Sequence, residues 1–172
     1  KIVLLLLSKG VTTFRLDAVA FIWKKNGTSC VNLPETHEIV KLLRLIVNFI
    51  NPHALIVTET NLPRKENLSY FGNNDEANWI YNFPLPPLIL YTFLFEDSSK
   101  ISGWSKSMPP AQINNAYLNF IASHDGIGMR PAEGILNNII LDKLFKRVKK
   151  NGGKFSFRKV ESKNKVYEVN IT

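Results

Sequence analysis

The chain has 172 residues, of which 45% are hydrophobic and 21% charged, so it can bury a core and is not a disordered tail. A single cysteine, Cys30, excludes an internal disulfide, and the three scattered histidines show no metal-ligand spacing. The net charge of +8 belongs to residues 143–165, which carry ten Lys and Arg residues and one acid, so we interpret it as a solvated surface rather than a nucleic-acid interface, with attraction of phosphate as the alternative.

The sequence predicts neither a membrane span nor a secretory leader. The apolar run at residues 2–7 is far shorter than the roughly 20 residues that a spanning helix needs, and prolines interrupt the apolar stretch at 83–95. The chain begins without a methionine and in the middle of an amphipathic pattern. We therefore expect a cytoplasmic protein and a chain cut from something longer.

The hydrophobic pattern alternates short apolar runs with longer amphipathic ones. It predicts buried strands at residues 12–19, 54–58, 77–83 and 116–122. Helices are predicted at residues 1–9, 34–50, 86–95, 98–107 and 136–150, with one further turn at 66–71. Residues 154–160 and 165–172 read as a hairpin. Strands that alternate with helices indicate an α/β fold with a parallel sheet.

Three of the predicted strands lead into carboxylates, namely Asp17, Glu59 and Asp125. Carboxyl ends of parallel strands meet on one rim, where three unpartnered carboxylates would repel one another. Glycoside chemistry needs one ionised and one protonated carboxyl, so this pattern favours it over helix caps or loop ion pairs. Arg15 lies two residues before Asp17, on the same face of the strand, where it can pair with that carboxylate. His124 is a candidate substrate contact beside Asp125.

Three motifs carry a resemblance to the α-amylase superfamily, also called glycoside hydrolase family 13. The segment FRLDAV at 14–19 resembles the nucleophile motif of the fourth barrel strand. VTETN at 57–61 resembles the acid/base motif of the fifth strand, and ASHD at 122–125 the motif after the seventh. Further segments resemble the sucrose phosphorylase group in particular: 23–25, 27–30, 33–37, 69–72, 81–83, 85–88 and 124–128.

The resemblance implies a partial (β/α)₈ barrel, a TIM barrel that holds strands four to seven, followed by a small inserted α+β subdomain. On this interpretation residues 1–128 are the partial catalytic barrel, and residues 129–172 begin the inserted subdomain. The family motif of the third strand and the remaining strands are absent. Four strands cannot close a barrel, so we expect the piece to be inactive by itself.

The resemblance also implies a retaining mechanism, with Asp17 as nucleophile, Glu59 as acid/base and Asp125 as the third catalytic carboxylate. Arg15 and His124 would bind substrate. Phosphate would be the acceptor and α-glucose 1-phosphate the product, with no metal and no organic cofactor. The partners would be an α-glucoside and inorganic phosphate, without nucleic acid or membrane, and a homodimer stays open for the full-length enzyme.

Two residues depart from the pattern of plain sucrose phosphorylases, and both are candidate substrate contacts. Asn61 stands where those enzymes tend to carry His, and Phe21 where they tend to carry Tyr. The sequence around Glu59 resembles that of the branch acting on sucrose 6′-phosphate or glucosylglycerate. The leaving group therefore stays open, with sucrose, sucrose 6′-phosphate and glucosylglycerate as the possible donors. Candidate phosphate contacts are Arg64, Lys65 and Arg130.

Two alternatives remain beside the phosphorylase. A retaining hydrolase of the same superfamily would use water as the acceptor, and dependence on inorganic phosphate separates the two. A non-catalytic piece that packs against a partner is the second alternative, although the complete set of Arg15, Asp17, Glu59 and Asp125 argues against a decayed enzyme.

Overall fold

The computed structural model describes residues 1–160 and 163–170. The chain divides into two compact units. The first unit contains Lys1–Tyr81 and Ala111–Leu118, and the second contains Asn82–Pro110 and the residues from Asn119 onward. Across the described residues, none of the helices has both the length and the apolar character to cross a membrane.

A four-stranded parallel sheet forms the centre of the first unit. Its strands are β1 (Thr13–Leu16), β2 (Leu55–Thr58), β3 (Trp79–Tyr81) and β4 (Ala116–Leu118), in the order β1-β2-β3-β4. Leu16 lies opposite Thr58, and Thr58 lies opposite Ile80, so the carboxyl ends of β1, β2 and β3 are level with one another. The predicted α/β class with a parallel sheet is confirmed.

The helices of the first unit are α1 (Ile2–Ser8), α2 (Pro34–Ile50) and α3 (Arg64–Leu68). Single 3-10 turns at Val19–Phe21 and Ser69–Phe71 follow β1 and α3. Helix α2 has the predicted bounds, because Pro34 preorganises its first turn and Pro52 disfavours helical geometry at Asn51. Val40 and Val47 of α2 are buried and pack into the two apolar clusters of this unit.

The second unit packs three helices against a small antiparallel sheet. The helices are α4 (Leu85–Phe95), α5 (Ser99–Ser107) and α6 (Asn138–Lys150). Strands β5 (Ile127–Gly128), β6 (Lys154–Val160) and β7 (Lys163–Asn170) form a sheet of order β5-β7-β6. The hairpin of β6 and β7 was expected, and residues 161–162 lie outside the described part of the chain. Strand β5 was not expected, because two residues show no alternation.

The predicted fourth strand at 116–122 was too long, because β4 ends at Leu118. Its only partner in the described sheet is β3, and β3 ends at Tyr81, four residues before α4 begins at Leu85. A strand segment without a partner gains no ladder hydrogen bonds, so 119–122 leave the sheet. Asp125 therefore follows its strand by seven residues, which corrects the expectation that it stands at a strand end.

The first and third strands are also shorter than predicted. Val19 belongs to the 3-10 turn after β1 rather than to the strand. Asn78, which precedes β3, accepts a hydrogen bond from the backbone N–H of Ile56 through its side-chain oxygen at 2.8 Å. The Asn78 side chain thus accepts from the Ile56 N–H, which would otherwise donate to a backbone carbonyl oxygen. Regular pairing of β3 therefore begins at Trp79.

Candidate active site

Three polar side chains lie at the carboxyl ends of neighbouring parallel strands. Asp17 follows β1, Glu59 follows β2, and Tyr81 is the last residue of β3. The Glu59 N–H donates to the carbonyl oxygen of Leu16 at 3.0 Å, which continues the pairing of β1 and β2 to the site itself. The backbone thus fixes the relative height of Asp17 and Glu59.

Arg15 lies between the two carboxylates. Its Nη1 is 2.6 Å from Oδ1 of Asp17, and its Nη2 is 4.0 Å from Oε2 of Glu59. The Asp17 side chain is 72% exposed and that of Glu59 is 18% exposed. One guanidinium therefore serves an accessible carboxylate and a largely enclosed one, which gives the two acids different surroundings.

The Glu59 carboxylate also accepts a hydrogen bond from the backbone N–H of Ala18, at 2.7 Å from Oε2. Ala18 has a φ of 45°, in the left-handed region that residues other than glycine seldom adopt. The turn that follows Asp17 needs this conformation to bring the amide of Ala18 to Glu59. Strained backbone of this kind concentrates at functional sites.

Tyr81 is a site residue that the sequence did not single out. The Arg15 guanidinium carbon lies 5.7 Å from the centre of the Tyr81 ring. Partial burial acts to lower the pKa of Arg15, but hydrogen bonds to Tyr81 and Asp17 and the charge of Asp17 raise it overall. Little in the sequence indicated this role, because the predicted strand ran on to residue 83 and Tyr81 did not stand at its end.

Behind the strand ends, a buried amide links the segment that follows β2 to the last residue of β3. Asn67 of α3 accepts a hydrogen bond from the hydroxyl of Thr60 at 2.6 Å and donates one to the carbonyl oxygen of Tyr81 at 2.9 Å. Sequence reasoning did not select Asn67, because its partners come from two different strands and no local pattern marks them.

A second polar group links α2 to the loop before β3. His37 Nδ1 lies 2.7 Å from Oε2 of the buried Glu76, and the His37 ring lies 4.6 Å from the ring of Tyr70. Burial, followed by the charge of Glu76, raises the pKa of Tyr70 well above its usual value. Tyr70 therefore stays protonated and packs within the core.

The two predicted substrate contacts of the first unit differ in environment. Phe21 is partly buried against the apolar core, and Lys24 Nζ lies 5.6 Å from its ring centre. Asn61 lies two residues after Glu59, and its Oδ1 is buried without a partner among the described residues. An acceptor of this kind beside Glu59 is available to a donor from a ligand.

The three predicted phosphate contacts are divided between the two units. Arg64 and Lys65 open α3 rather than lying on a loop, and Lys65 is exposed. Arg130 belongs to the second unit, where it opens a 3-10 turn.

His124 and Asp125 belong to the second unit and occupy the tip of a tight turn. Ser123 and Gly126 exchange backbone hydrogen bonds of 3.0 and 3.1 Å, which close the turn. Both tip side chains are mostly exposed, and His124 Nε2 lies 3.4 Å from Asp125 Oδ2. The convergence of Asp125 with Asp17 and Glu59 stays a prediction.

The site residues offer carboxylates and a guanidinium rather than a ligand set for a metal. Within residues 1–160 and 163–170, no group of three or more His, Cys, Asp or Glu side chains is placed to hold a metal ion. In the first unit, the Arg15 guanidinium lies beside the Asp17 carboxylate. The backbone N–H of Ala18 supplies a fixed hydrogen-bond donor to the Glu59 carboxylate.

Known proteins with similar sequences include glucosylglycerate phosphorylases. The chain is 45% identical over 170 residues to the protein of that name from Spirochaeta thermophila, and 45% identical over 164 residues to that from Allomeiothermus silvanus. These alignments cover 99% and 95% of this chain. The chain spans only 29% and 30% of the length of those relatives. No protein-family model matches the chain.

A solved structure shares the fold. It is the sucrose 6F-phosphate phosphorylase from Thermoanaerobacter thermosaccharolyticum, with a TM-score of 0.78 and 22% identity over 94% of this chain and 31% of that one. Over nearly its whole length the chain is similar to glucosylglycerate phosphorylases, which places it with the sucrose phosphorylase-like group of the α-amylase superfamily.

Proposed function

We propose that this chain is the middle of a (β/α)₈ barrel, in which β1 to β4 are strands four to seven. Residues 129–172 begin a subdomain inserted after the seventh strand. The parallel order of the four strands supports this assignment, as does the likeness in fold to a phosphorylase of the group. Four strands leave a barrel open, so the piece does not turn over substrate by itself.

The proposed activity is that of a retaining α-glucoside phosphorylase, a glycosyltransferase that makes α-glucose 1-phosphate. The observation that carries it is the position of Arg15 between Asp17 and Glu59, with the Ala18 amide bonded to Glu59. A retaining enzyme needs two carboxyl groups with different roles near one anomeric carbon. Glucosylglycerate is the first donor to test, because the relatives of that name match nearly the whole chain.

In the first step Asp17 attacks the anomeric carbon, and the bond to the leaving oxygen breaks. Glu59 gives its proton to that oxygen, and a β-glucosyl ester of Asp17 forms. The ion pair with Arg15 keeps the attacking carboxylate in place for this displacement. In the second step a phosphate oxygen attacks the anomeric carbon of this ester, Glu59 takes the proton from that oxygen, and the bond to Asp17 breaks so that Asp17 leaves as a carboxylate.

Asp125 and His124 hold sugar hydroxyls in this proposal and favour the distorted ring of the transition state. Their exposure at the tip of a turn supports such a role. Asn61 and Phe21 line the side of the leaving group, and Arg64, Lys65 and Arg130 are candidate contacts for phosphate. The enzyme is cytoplasmic, uses no cofactor, and does not act on nucleic acid or a membrane.

The test uses the full-length polypeptide that contains this chain. It is incubated with glucosylglycerate, sucrose 6′-phosphate or sucrose, with and without inorganic phosphate, and α-glucose 1-phosphate and free glucose are measured. We expect α-glucose 1-phosphate only when phosphate is present. Glu59→Gln lowers kcat/KM by roughly 10²–10⁴-fold, the usual contribution of a general acid. Asp17→Asn abolishes turnover, because no carboxylate remains to form the ester.

The exposed Glu38, which pairs with Lys41 on α2 away from the site, supplies the matched control Glu38→Gln. Its rate stays at that of the unmodified enzyme. Free glucose released at the same rate without phosphate would show a hydrolase instead. No turnover of any of the three donors, with either acceptor, would favour a non-catalytic role.

A further inference from the structure

We propose that Asn67 is the positioning residue that holds Glu59 in place for proton transfer to the leaving group. The inference rests on the proposed function and adds a residue to it. Asn67 lies on α3, outside the strand-end motifs, and is only 5% exposed.

On the side of β3, the ladder of the sheet stops one residue before Glu59. The backbone pairing of β2 with β3 ends at Thr58 and Ile80. Beyond that point, the side chain of Asn67 connects the two segments through two hydrogen bonds. It accepts one from the Thr60 hydroxyl at 2.6 Å and donates one to the Tyr81 carbonyl oxygen at 2.9 Å. Glu59 therefore lies between a residue fixed by the sheet and a residue fixed by Asn67.

Asparagine suits this place because its amide both accepts and donates. The oxygen takes the Thr60 hydroxyl, and the nitrogen reaches the Tyr81 carbonyl, so the two ends of the amide have opposite partners. Thr60 is 1% exposed, and buried hydrogen bonds of this kind are costly to leave unmade.

The same amide reaches the other carboxylate through Tyr81. The Tyr81 ring lies against the Arg15 guanidinium, and Arg15 pairs with Asp17. On the Glu59 side the path is shorter, because Thr60 is the next residue in the chain. Loss of the Asn67 bonds should therefore impair proton transfer by Glu59 first, and the attack by Asp17 less.

The leaving group of the donor separates these two effects. An alkoxide needs the proton of Glu59 as the glycosidic bond breaks, whereas fluoride departs from α-glucosyl fluoride with little need of it. In the full-length enzyme, kcat/KM reports the glucosylation step for both donors. Thr60→Val and Asn67→Ala should lower kcat/KM for the α-glucoside by about 10–100-fold, a part of what a general acid contributes. For α-glucosyl fluoride the fall should stay below about threefold.

The control for local structure is Ser69→Ala, since the Ser69 hydroxyl donates to the Glu66 carbonyl in the preceding turn of the same segment. It should leave both kcat/KM values unchanged. A merely structural defect, such as partial unfolding, would lower both donors equally in Thr60→Val and Asn67→Ala, and that result would overturn the proposal. Unchanged values for both donors in Thr60→Val would overturn it as well.

Glu59→Gln distinguishes this inference from the proposed function beneath it. If Glu59→Gln is selectively slow on the α-glucoside and the Asn67 and Thr60 variants are not, the mechanism stands and the positioning role fails. If Glu59→Gln shows no selectivity, the assignment of Glu59 as acid fails first.

Discussion

Arg15 serves two carboxylates with two different nitrogens, and no other residue type can do so in the same way. A guanidinium is planar and presents its donors in a fixed fork, whereas a lysine ammonium is a single point charge. The Nη1 contact with Asp17 and the longer Nη2 contact with Glu59 both use that fork.

Arg15→Lys in the full-length enzyme should lower kcat/KM by about 10–100-fold, because a hydrogen bond to a charged group contributes about 1.5–3 kcal/mol. Steady-state kinetics with the preferred donor measures this. The matched control is Arg158→Lys, where the guanidinium lies over the Tyr167 ring outside the site. A change of less than about twofold for Arg15→Lys would contradict the role assigned to the fork.

The turn that presents His124 and Asp125 depends on a glycine. Gly126 has a φ of +103°, and a Cβ there would lie 2.5 Å from Oδ1 of Asn170 and 2.8 Å from the carbonyl oxygen of Val169. An alanine would therefore face both an unfavourable backbone conformation and a collision with β7.

Gly126→Ala should lower the free energy of unfolding of the chain by about 1–3 kcal/mol. Urea unfolding followed by circular dichroism measures the loss. Gly134→Ala is the matched control, because Gly134 also has a positive φ of +81° but has no atom within 4 Å of the added Cβ. Equal losses of unfolding free energy in Gly126→Ala and Gly134→Ala would contradict the expected collision with β7.

At the scale of elements, α4 and α5 are joined through one carboxylate. Asp97 lies between the two helices, where its Oδ2 accepts from the hydroxyl of Tyr91 and its Oδ1 from the backbone N–H of Ser99, both at 2.8 Å. The side chain and backbone of Ser99, and then Tyr91, lower the pKa of Asp97. The junction is therefore sensitive to acid.

Since the folded pKa of Asp97 is below its unfolded value, its stabilising contribution is present above the unfolded value of about 3.9. It is lost as the pH falls through the lowered folded value. Asp97→Asn should remove part of the stability at pH 6 and should flatten the decline between pH 4 and pH 2, as urea midpoints measure. Asp142→Asn on α6 is the control, and a decline equal to that of the unmodified chain in Asp97→Asn would contradict this prediction.

At the scale of the whole molecule, the first unit exposes apolar surface that a complete barrel would cover in part. Leu45 and Phe49 of α2 are 68% and 90% exposed, and Ile2 and Leu5 of α1 are 76% and 59% exposed. Strand β1 is at one edge of the described sheet. Exposed apolar patches and open strand edges both promote association.

We expect the isolated chain to self-associate at micromolar concentration, and Leu45→Gln with Phe49→Gln to shift it toward the monomer. Light scattering coupled to size-exclusion chromatography gives the mass of each. The exposed Asn48 of the same helix provides the control Asn48→Gln, which removes no apolar surface. A monomer at every concentration tested would disprove the prediction.

The sequence by itself determined what local rules control. Helix α2 begins at Pro34 and ends at Ile50, because Pro34 starts it and Pro52 follows its end. Both prolines can be read directly from the sequence. The alternation of strands and helices determined the parallel sheet. The pair of Arg15 and Asp17 followed from a spacing of two on one strand, which puts both side chains on one face.

Only the tertiary structure decided where strands end and what reaches Glu59. Strand β4 ends at Leu118 because its partner β3 ends, which no local signal in 119–122 shows. The amide that binds Glu59 comes from Ala18, 41 residues earlier, and depends on a left-handed turn. The bridge through Asn67 joins Thr60, just after β2, to Tyr81 of β3, which are 21 residues apart in the chain and close only in space. Such contacts depend on the register in which distant segments pair. That register is set by packing in the folded molecule, so it cannot be read from local sequence patterns.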